Sequence, residues 1–554
     1  MRVIVLYVLC LLASSAPTPA RALPPSCNSG TVFADRNGNG AQDGGEPGLA
    51  GVKVSDGVAI VTTDARGHYA LPVVDGRSSF VIKPAGYHVP MRGNGLPDYW
   101  RNVQRFAGPS LKYGGMAAEF PGCRNFALVA AKPSPNRKAS LNVLLFADPQ
   151  VKSMADVDYY GRDIIEPAMR QGAIDMAHGF GKFYFTGGAA DLGLSLGDIV
   201  NDDLSLYPAL NAQTARLGVP WLHVAGNHDL DFDAARDEDS LLSFRHSYGP
   251  DTFAWEEPEA TFVVLDDVVY LPGQSPAIIG GLREEQFAFL ERYLPTLPAG
   301  RLLVIAIHIP LFDAAPGRET FRHADRARLF ALLRDVPQVL VLSGHSHTQR
   351  HVFHDAASGW HGSQPLHEYN VGAACGAFWS GAKDAAGIPD ATMSDGTPNG
   401  YARLTVKTGG EYGLSWHPAR LGGDSTATTA AMHLHAPRVL RRGAYPAWGV
   451  YANVFMGRDD SRVEYRVDGG PWQPMRRVPQ PDPRLLAENA RDDAAEGLRG
   501  YDRSPEATPS THLWRGALPT ELATGAHRVQ VRALDAWQGE QRAETGYRLE
   551  EARE

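Results

Sequence analysis

Leu141-Asn-Val-Leu-Leu-Phe-Ala-Asp148-Pro149-Gln150 decides how this chain is read. A short apolar run of this kind reads as a buried strand, and a carboxylate and an amide follow where it ends. The same design recurs four times downstream. Leu192–Leu196 precedes Gly197-Asp198, and Pro220–Ala225 precedes Gly226-Asn227-His228-Asp229. Arg301–Ile307 precedes His308, and Val339–Ser343 precedes Gly344-His345-Ser346-His347. Between these runs, 161–179, 283–294 and 324–336 carry apolar residues at three- and four-residue steps, the spacing of amphipathic helices. Strands alternating with helices make 138–410 an α/β domain, and open α/β sheets place their sites at the carboxyl ends of strands. Each motif alone is a common turn; the ordered set is not.

Those residue types in that order suit a phosphate ester. Its oxygens repel a nucleophile, and water is a poor one. Two metals about 3.5–4 Å apart screen the charge and lower the pKa of bound water to about 7. Holding two cations so close requires a shared carboxylate, and Asp198 is the natural bridge. Asp148 and Gln150 converge from one strand end on one metal. Asn227 and His308 suit the other, and His345 and His347 divide between the two. His228 is then left to stabilise phosphoryl oxygens and protonate the leaving group. Asp229 either orients His228 or caps a helix start. Asp202 and Asp203 are either supporting residues or solvated carboxylates, and His223 reads as packed within its strand.

At 554 residues the chain exceeds one core, and two to four domains are expected. A net charge of -9 without a basic patch argues against nucleic acid as a partner. Residues 1–22 read as a signal peptide: Arg2, an apolar run from Val3 to Ala13 too short to span a bilayer, and Ala20-Arg21-Ala22 as the cleavage site. The protein is therefore expected to be exported, periplasmic or secreted, with no transmembrane segment and with room for an association with the cell envelope. Cys27 and Cys123 bracket the first domain and are expected to pair, leaving Cys375 as a buried free thiol.

Residues 23–130 alternate as short strands and turns, a small β-sandwich. Within it, Asp35, Asn37, Asn39, Ala41, Asp43 and Glu46 occupy ligand positions 1, 3, 5, 7, 9 and 12 of an EF-type calcium loop, with Gly40 at the sharp turn. The competing reading is a Gly/Asn-rich hairpin loop with no ion. A polar, Pro-containing linker follows at 130–140. Residues 432–554 read as a second β-sandwich, and 481–508, acidic and Arg-rich with no clear period, read as a long loop. Phe378, Trp379, Asp395, Asn399 and Tyr401 lie downstream of the ligand motifs, where they either shape a substrate pocket or fill a loop.

The motif set resembles the calcineurin-like metallophosphoesterases, whose fold is a four-layer αββα sandwich of two mixed sheets between helices. The resemblance implies that Asp148, Asp198 and His347 bind a first metal. It gives Asp198, Asn227, His308 and His345 to a second, and makes His228 the acid. The three-part layout, with the stretch 387–401 after Gly-Ala-Ala-Cys375-Gly-Ala-Phe, resembles a bacterial group carrying β-domains on both sides. The stretch from Gly30 to Val54 also resembles the B-type repeats of bacterial surface adhesins. Gln150 stands where the family usually has histidine. A neutral amide oxygen is a harder, weaker donor than imidazole, which favours manganese or iron over zinc. The implied function is hydrolysis of a phosphoester by a hydroxide activated between two metals, monoesters slightly ahead of diesters. The alternative is a non-catalytic cell-surface binding protein that uses the flanking β-domains.

Overall fold

The computed structural model describes residues 27–119, 123–131, 140–177, 190–315, 317–421 and 426–551, the side chains of 172–177 excepted. The expected signal peptide and most of the 130–140 linker lie outside the described residues.

Two sheets form the central domain. The first runs in the order Trp221–Val224, Leu192–Leu196, Ser140–Phe146, Gly400–Lys407, Tyr412–Pro418. Its first three strands are parallel, and the last two join antiparallel. The second runs Phe253–Glu256, Ala260–Val264, Leu302–Ala306, Val339–Ser343, Leu366–Asn370, Arg350–His354, parallel in the middle with an antiparallel strand on each edge. Met154–Tyr160 packs on Tyr207–Thr214, and Glu284–Tyr293 packs on His323–Leu333, one helical pair for each sheet. This covering explains why Val143, Leu144 and Leu145 are buried in succession: neither face of the strand meets water. Helix Glu284–Tyr293 shows how the elements start. The Gln286 side chain accepts from the Arg283 N–H at 2.7 Å, acids stand in the first turn, Arg292 stands in the last, and Phe287 and Leu290 face inward.

Two four-stranded sheets build the N-terminal module. Cys27 and Cys123 are joined by a disulfide, their Cα atoms 5.0 Å apart. The module shares its core with the central domain. Phe80 meets Phe253 at 6.3 Å between ring centroids, Tyr99 meets Trp255 at 5.4 Å, and the buried Lys83 ammonium donates to the Glu256 carbonyl at 3.0 Å. Burial of each such aromatic contributes about 1.5–3 kcal/mol, so the module is docked and not tethered.

Residues 432–550 form two further sheets around a separate core that includes Met432, Val450, Trp514, Val531 and Tyr547. One expectation fails here. Within 481–508, Pro483–Asp493 is an α-helix, capped by Asp482 accepting from the Arg484 N–H at 2.7 Å and opened by proline. Its buried positions are Leu485, Glu488 and Asp492, so helical spacing is present but two of the three are acids, which hides it from an apolar count. Among the described residues no helix is long and apolar enough to cross a membrane.

Candidate metal centre

Every ligand motif sits on the turn that leaves a central strand, and most of these turns are strained. Asp148, Gln150, Asp198, His345 and His347 all have positive φ, between 41° and 70°. Side chains other than glycine avoid this region, and such strain gathers at functional sites. Among the described residues, the other non-glycine positions with positive φ are Asp202, Phe378 and Trp379, which adjoin the site, and Ala391 and Asp468. Close approach of the turns demands glycine at Gly226, where a Cβ would lie 2.1 Å from the Asp198 nitrogen, and at Gly197, where it would strike the His308 ring.

Two groups of ligand atoms result, Asp198 with His308 and His345, and Asp148 with Asp198 and His347. Within each group the atoms lie within 4.8 Å of one another, and Asp198 belongs to both. His308 Nδ1 donates to the Leu196 carbonyl at 2.8 Å, which turns Nε2 inward to Asp198 at 3.3 Å and Asn227 Oδ1 at 3.1 Å. His345 Nδ1 lies 3.2 Å from the same Nε2. His347 Nδ1 donates to the Gly376 carbonyl at 2.7 Å and points Nε2 at Asp148, 3.6 Å away. A carbonyl on one ring nitrogen fixes the tautomer and leaves the other free to ligate. Gln150 is buried, its N–H donating to the Asp198 carbonyl at 2.8 Å and its Oε1 3.9 Å from the Cys375 sulfur.

The electrostatics fit cations. Burial, with the Asp198 charge added, pushes Asp148 up to about 8, against the pull of His308. For Asp198 burial acts upward but is outweighed by His308, and its pKa falls well below the usual range. Burial lowers His308, yet Asp198, Asp148 and Asp267 carry it to about 10. Carboxylates and imidazoles thus crowd a buried space that divalent ions with O and N donors would fill. Burial lowers His345 to about 3 and His347 to about 4, so both are neutral and ready to donate a lone pair.

His228 Nδ1 lies 2.7 Å from Asp202 Oδ1, with about a quarter of its side chain open to solvent. Burial lowers its pKa, but the Asp202 hydrogen bond and the charges of Asp198 and Asp202 raise it to about 9. Asp202, not Asp229, therefore holds the ring. Asp229 is fully buried and accepts from the N–H groups of Ile199 at 3.1 Å and Gly226 at 2.9 Å and from the Tyr207 hydroxyl at 3.1 Å. It ties two ligand turns together, so its placement among the catalytic groups is corrected to a supporting one. Asp203 caps a short turn at Ser205, and His223, buried in its strand, lies tilted against the Tyr248 ring.

Four of the five residues expected at a substrate pocket are turned inward. Trp379 is buried and donates to the Pro149 carbonyl at 2.9 Å. Asp395 accepts from the Gln349 N–H at 2.8 Å and lies 3.1 Å from His512 Nε2 of the C-terminal domain. Asn399 donates to Asp163 at 2.9 Å, and Tyr401 packs on Phe146. These four brace the site's walls, and Phe378 alone of the five is exposed. In the expected calcium loop, Asp35 accepts from the Gly38 and Gly40 N–H groups, Asp43 accepts from the Asn37 and Asn39 amides, and Glu46 accepts from the Arg36 and Asp43 N–H groups. The Ala41 N–H donates to Asn39. Hydrogen bonds within the loop engage the oxygens that the calcium reading enlists. One supporting residue escaped sequence reasoning: Asp267, buried, whose Oδ1 accepts from His308 N–H at 2.9 Å and Ile309 N–H at 3.2 Å. The signal was available, since Asp266 and Asp267 also follow an apolar strand, Ala260–Val264.

Comparison with known families finds three matches in chain order: the N terminal of calcineurin-like phosphoesterase over 36–112, calcineurin-like phosphoesterase over 142–349, and the C terminal of calcineurin-like phosphoesterase over 368–540. No curated protein matches the chain. Among solved structures, a purple acid phosphatase from yellow lupin (Lupinus luteus) seeds is similar at 13% identity and a TM-score of 0.36, covering 66% of this chain and 66% of its own. A dimetal phosphatase from Danio rerio is similar at 15% identity and a TM-score of 0.32, covering 50% of this chain and 98% of its own. With N-terminal, central and C-terminal regions each matched in turn, the chain belongs to the calcineurin-like phosphoesterases.

Proposed function

We propose that this protein is an exported, metal-dependent phosphoesterase, acting on monoesters ahead of diesters. The observation that carries the reading is the Asp198 carboxylate, buried and common to both ligand groups. Asp148, Gln150, Asp198 and His347 would hold one cation, and Asp198, Asn227, His308 and His345 the other. Bound there, two cations would screen the phosphate oxygens and lower the pKa of water toward neutrality. The amide oxygen of Gln150 favours manganese or iron over zinc. Export rests on Arg2, the apolar run to Ala13 and the Cys27–Cys123 disulfide, a bond suited to an oxidising compartment. The loop from Asp35 to Glu46 would take calcium, as the spacing of its oxygens supports.

His228 does the proton work in this scheme. Asp202 holds Nδ1, so Nε2 is the nitrogen left to hold a proton for the departing oxygen. Because the folded pKa is raised, the protonated form is present at neutral pH and is lost as pH rises through it. Cations at the centre would pull the value down from about 9, so direction is the test. Asp202→Ala should move the alkaline limb of the kcat/KM profile to lower pH; an unmoved limb would remove His228 from this role.

Manganese-loaded protein should hydrolyse para-nitrophenyl phosphate, and faster than bis-para-nitrophenyl phosphate. Failure to hydrolyse either, across a broad phosphoester panel, would sink the enzymatic reading.

A further inference from the structure

We propose that Phe378, Lys152 and Tyr501 form a subsite for a planar ring carried by the leaving group of the substrate. This inference rests on the phosphoesterase reading and narrows its substrate class. It begins with Phe378, whose φ of 60° swings its ring over the imidazole of His347, 4.6 Å between centroids. The neighbouring Trp379 is locked into the wall by its bond to the Pro149 carbonyl, which fixes the turn that carries Phe378.

Lys152 links that turn to a second ring. It stands two residues beyond Gln150, and its ammonium donates to the Phe378 carbonyl at 2.7 Å. The same ammonium lies 3.4 Å from the centroid of the Tyr501 ring, a cation–π contact. Tyr501 comes from the C-terminal domain, in the segment after helix Pro483–Asp493. Its carbonyl accepts from the Gly381 N–H at 2.9 Å, and Asp502 beside it pairs with Lys383 at 3.4 Å. The backbone of Tyr501 is therefore pinned to the loop that follows Phe378.

Both rings are fixed yet uncovered. Phe378 is 41% exposed and Tyr501 55% exposed. Isolated exposed apolar groups are ordinary. One ammonium ties the backbone that carries Phe378 to the Tyr501 ring, and the Phe378 ring lies on an expected metal ligand, so the two exposed rings share one edge of the centre. Aromatic faces favour offset or edge contact with another ring. A bare phosphate or a short alkyl ester offers nothing to them. The C-terminal domain thereby supplies part of the substrate surface.

The test is binding of phenylphosphonate and methylphosphonate, which turnover does not consume, to the full manganese-loaded chain by calorimetry. The wild type should prefer phenylphosphonate by about tenfold. Phe378→Ala and Tyr501→Ala should erase most of that preference, while Tyr501→Phe keeps it. Tyr501 is half exposed, so its loss leaves the core intact. Equal binding of the two ligands, binding of neither, or a preference undiminished in Tyr501→Ala would overturn the subsite. A preference that follows the rings in a protein without esterase activity would keep the subsite and reject the enzymatic reading; activity without a preference would do the reverse.

Discussion

Asp198→Ala will lower turnover of any phosphoester this protein accepts by about a thousandfold or more, because the several kcal/mol that paired cations contribute to the transition state depend on one carboxylate. Among the described residues no other side chain belongs to both ligand groups. The loss also reaches the protein's own contacts, since Asp198 accepts from the His228 N–H at 2.8 Å and faces His308 at 3.3 Å. Without that carboxylate the pKa of His308 falls, and the ring keeps its bond to Leu196 and its contacts with Asn227 and His345. Excess manganese should not restore the rate. Activity within tenfold of the wild type would show that the two ligand groups do not act as one centre.

Asp229→Ala will be the most destabilising of the single changes considered, although Asp229 touches no expected ligand side chain. It leaves the buried N–H groups of Ile199 and Gly226 without their acceptor and reduces the Tyr207 hydroxyl to its longer bond with the Asp229 carbonyl. Each orphaned buried group costs about 1–3 kcal/mol, so a local loss of about 3 kcal/mol or more is expected. The two turns it joins carry Asp198 and Asn227, so metal affinity should fall with stability. Hydrogen exchange at Ile199 and Gly226 is the direct readout, and protection should drop there before the sheets are affected. Unchanged protection at both amides would refute the assignment.

The central strands and the ligand turns could be read from the chain because each ligand follows an apolar run that is buried on both faces. The helix Pro483–Asp493 could not, because its inward stripe is mostly acidic. Nor could the partner of His228 be chosen: Asp229 is adjacent and Asp202 lies 26 residues upstream, and only the fold shows which carboxylate turns to the ring and which to the backbone. Asp395 and Asn399 look like pocket residues in a polar loop. Their partners, His512 and Asp163, lie over a hundred positions away in opposite directions. Docking of the N-terminal module through Phe80 and Tyr99 is equally invisible, since a conventional β-sandwich core would bury the same residues.

The most direct measurement is anomalous scattering from crystals grown with manganese. The account predicts two peaks, one on either side of the Asp198 carboxylate, with His308 and His345 closing round one and Asp148 and His347 round the other. A single peak, or peaks that do not share Asp198, would contradict it.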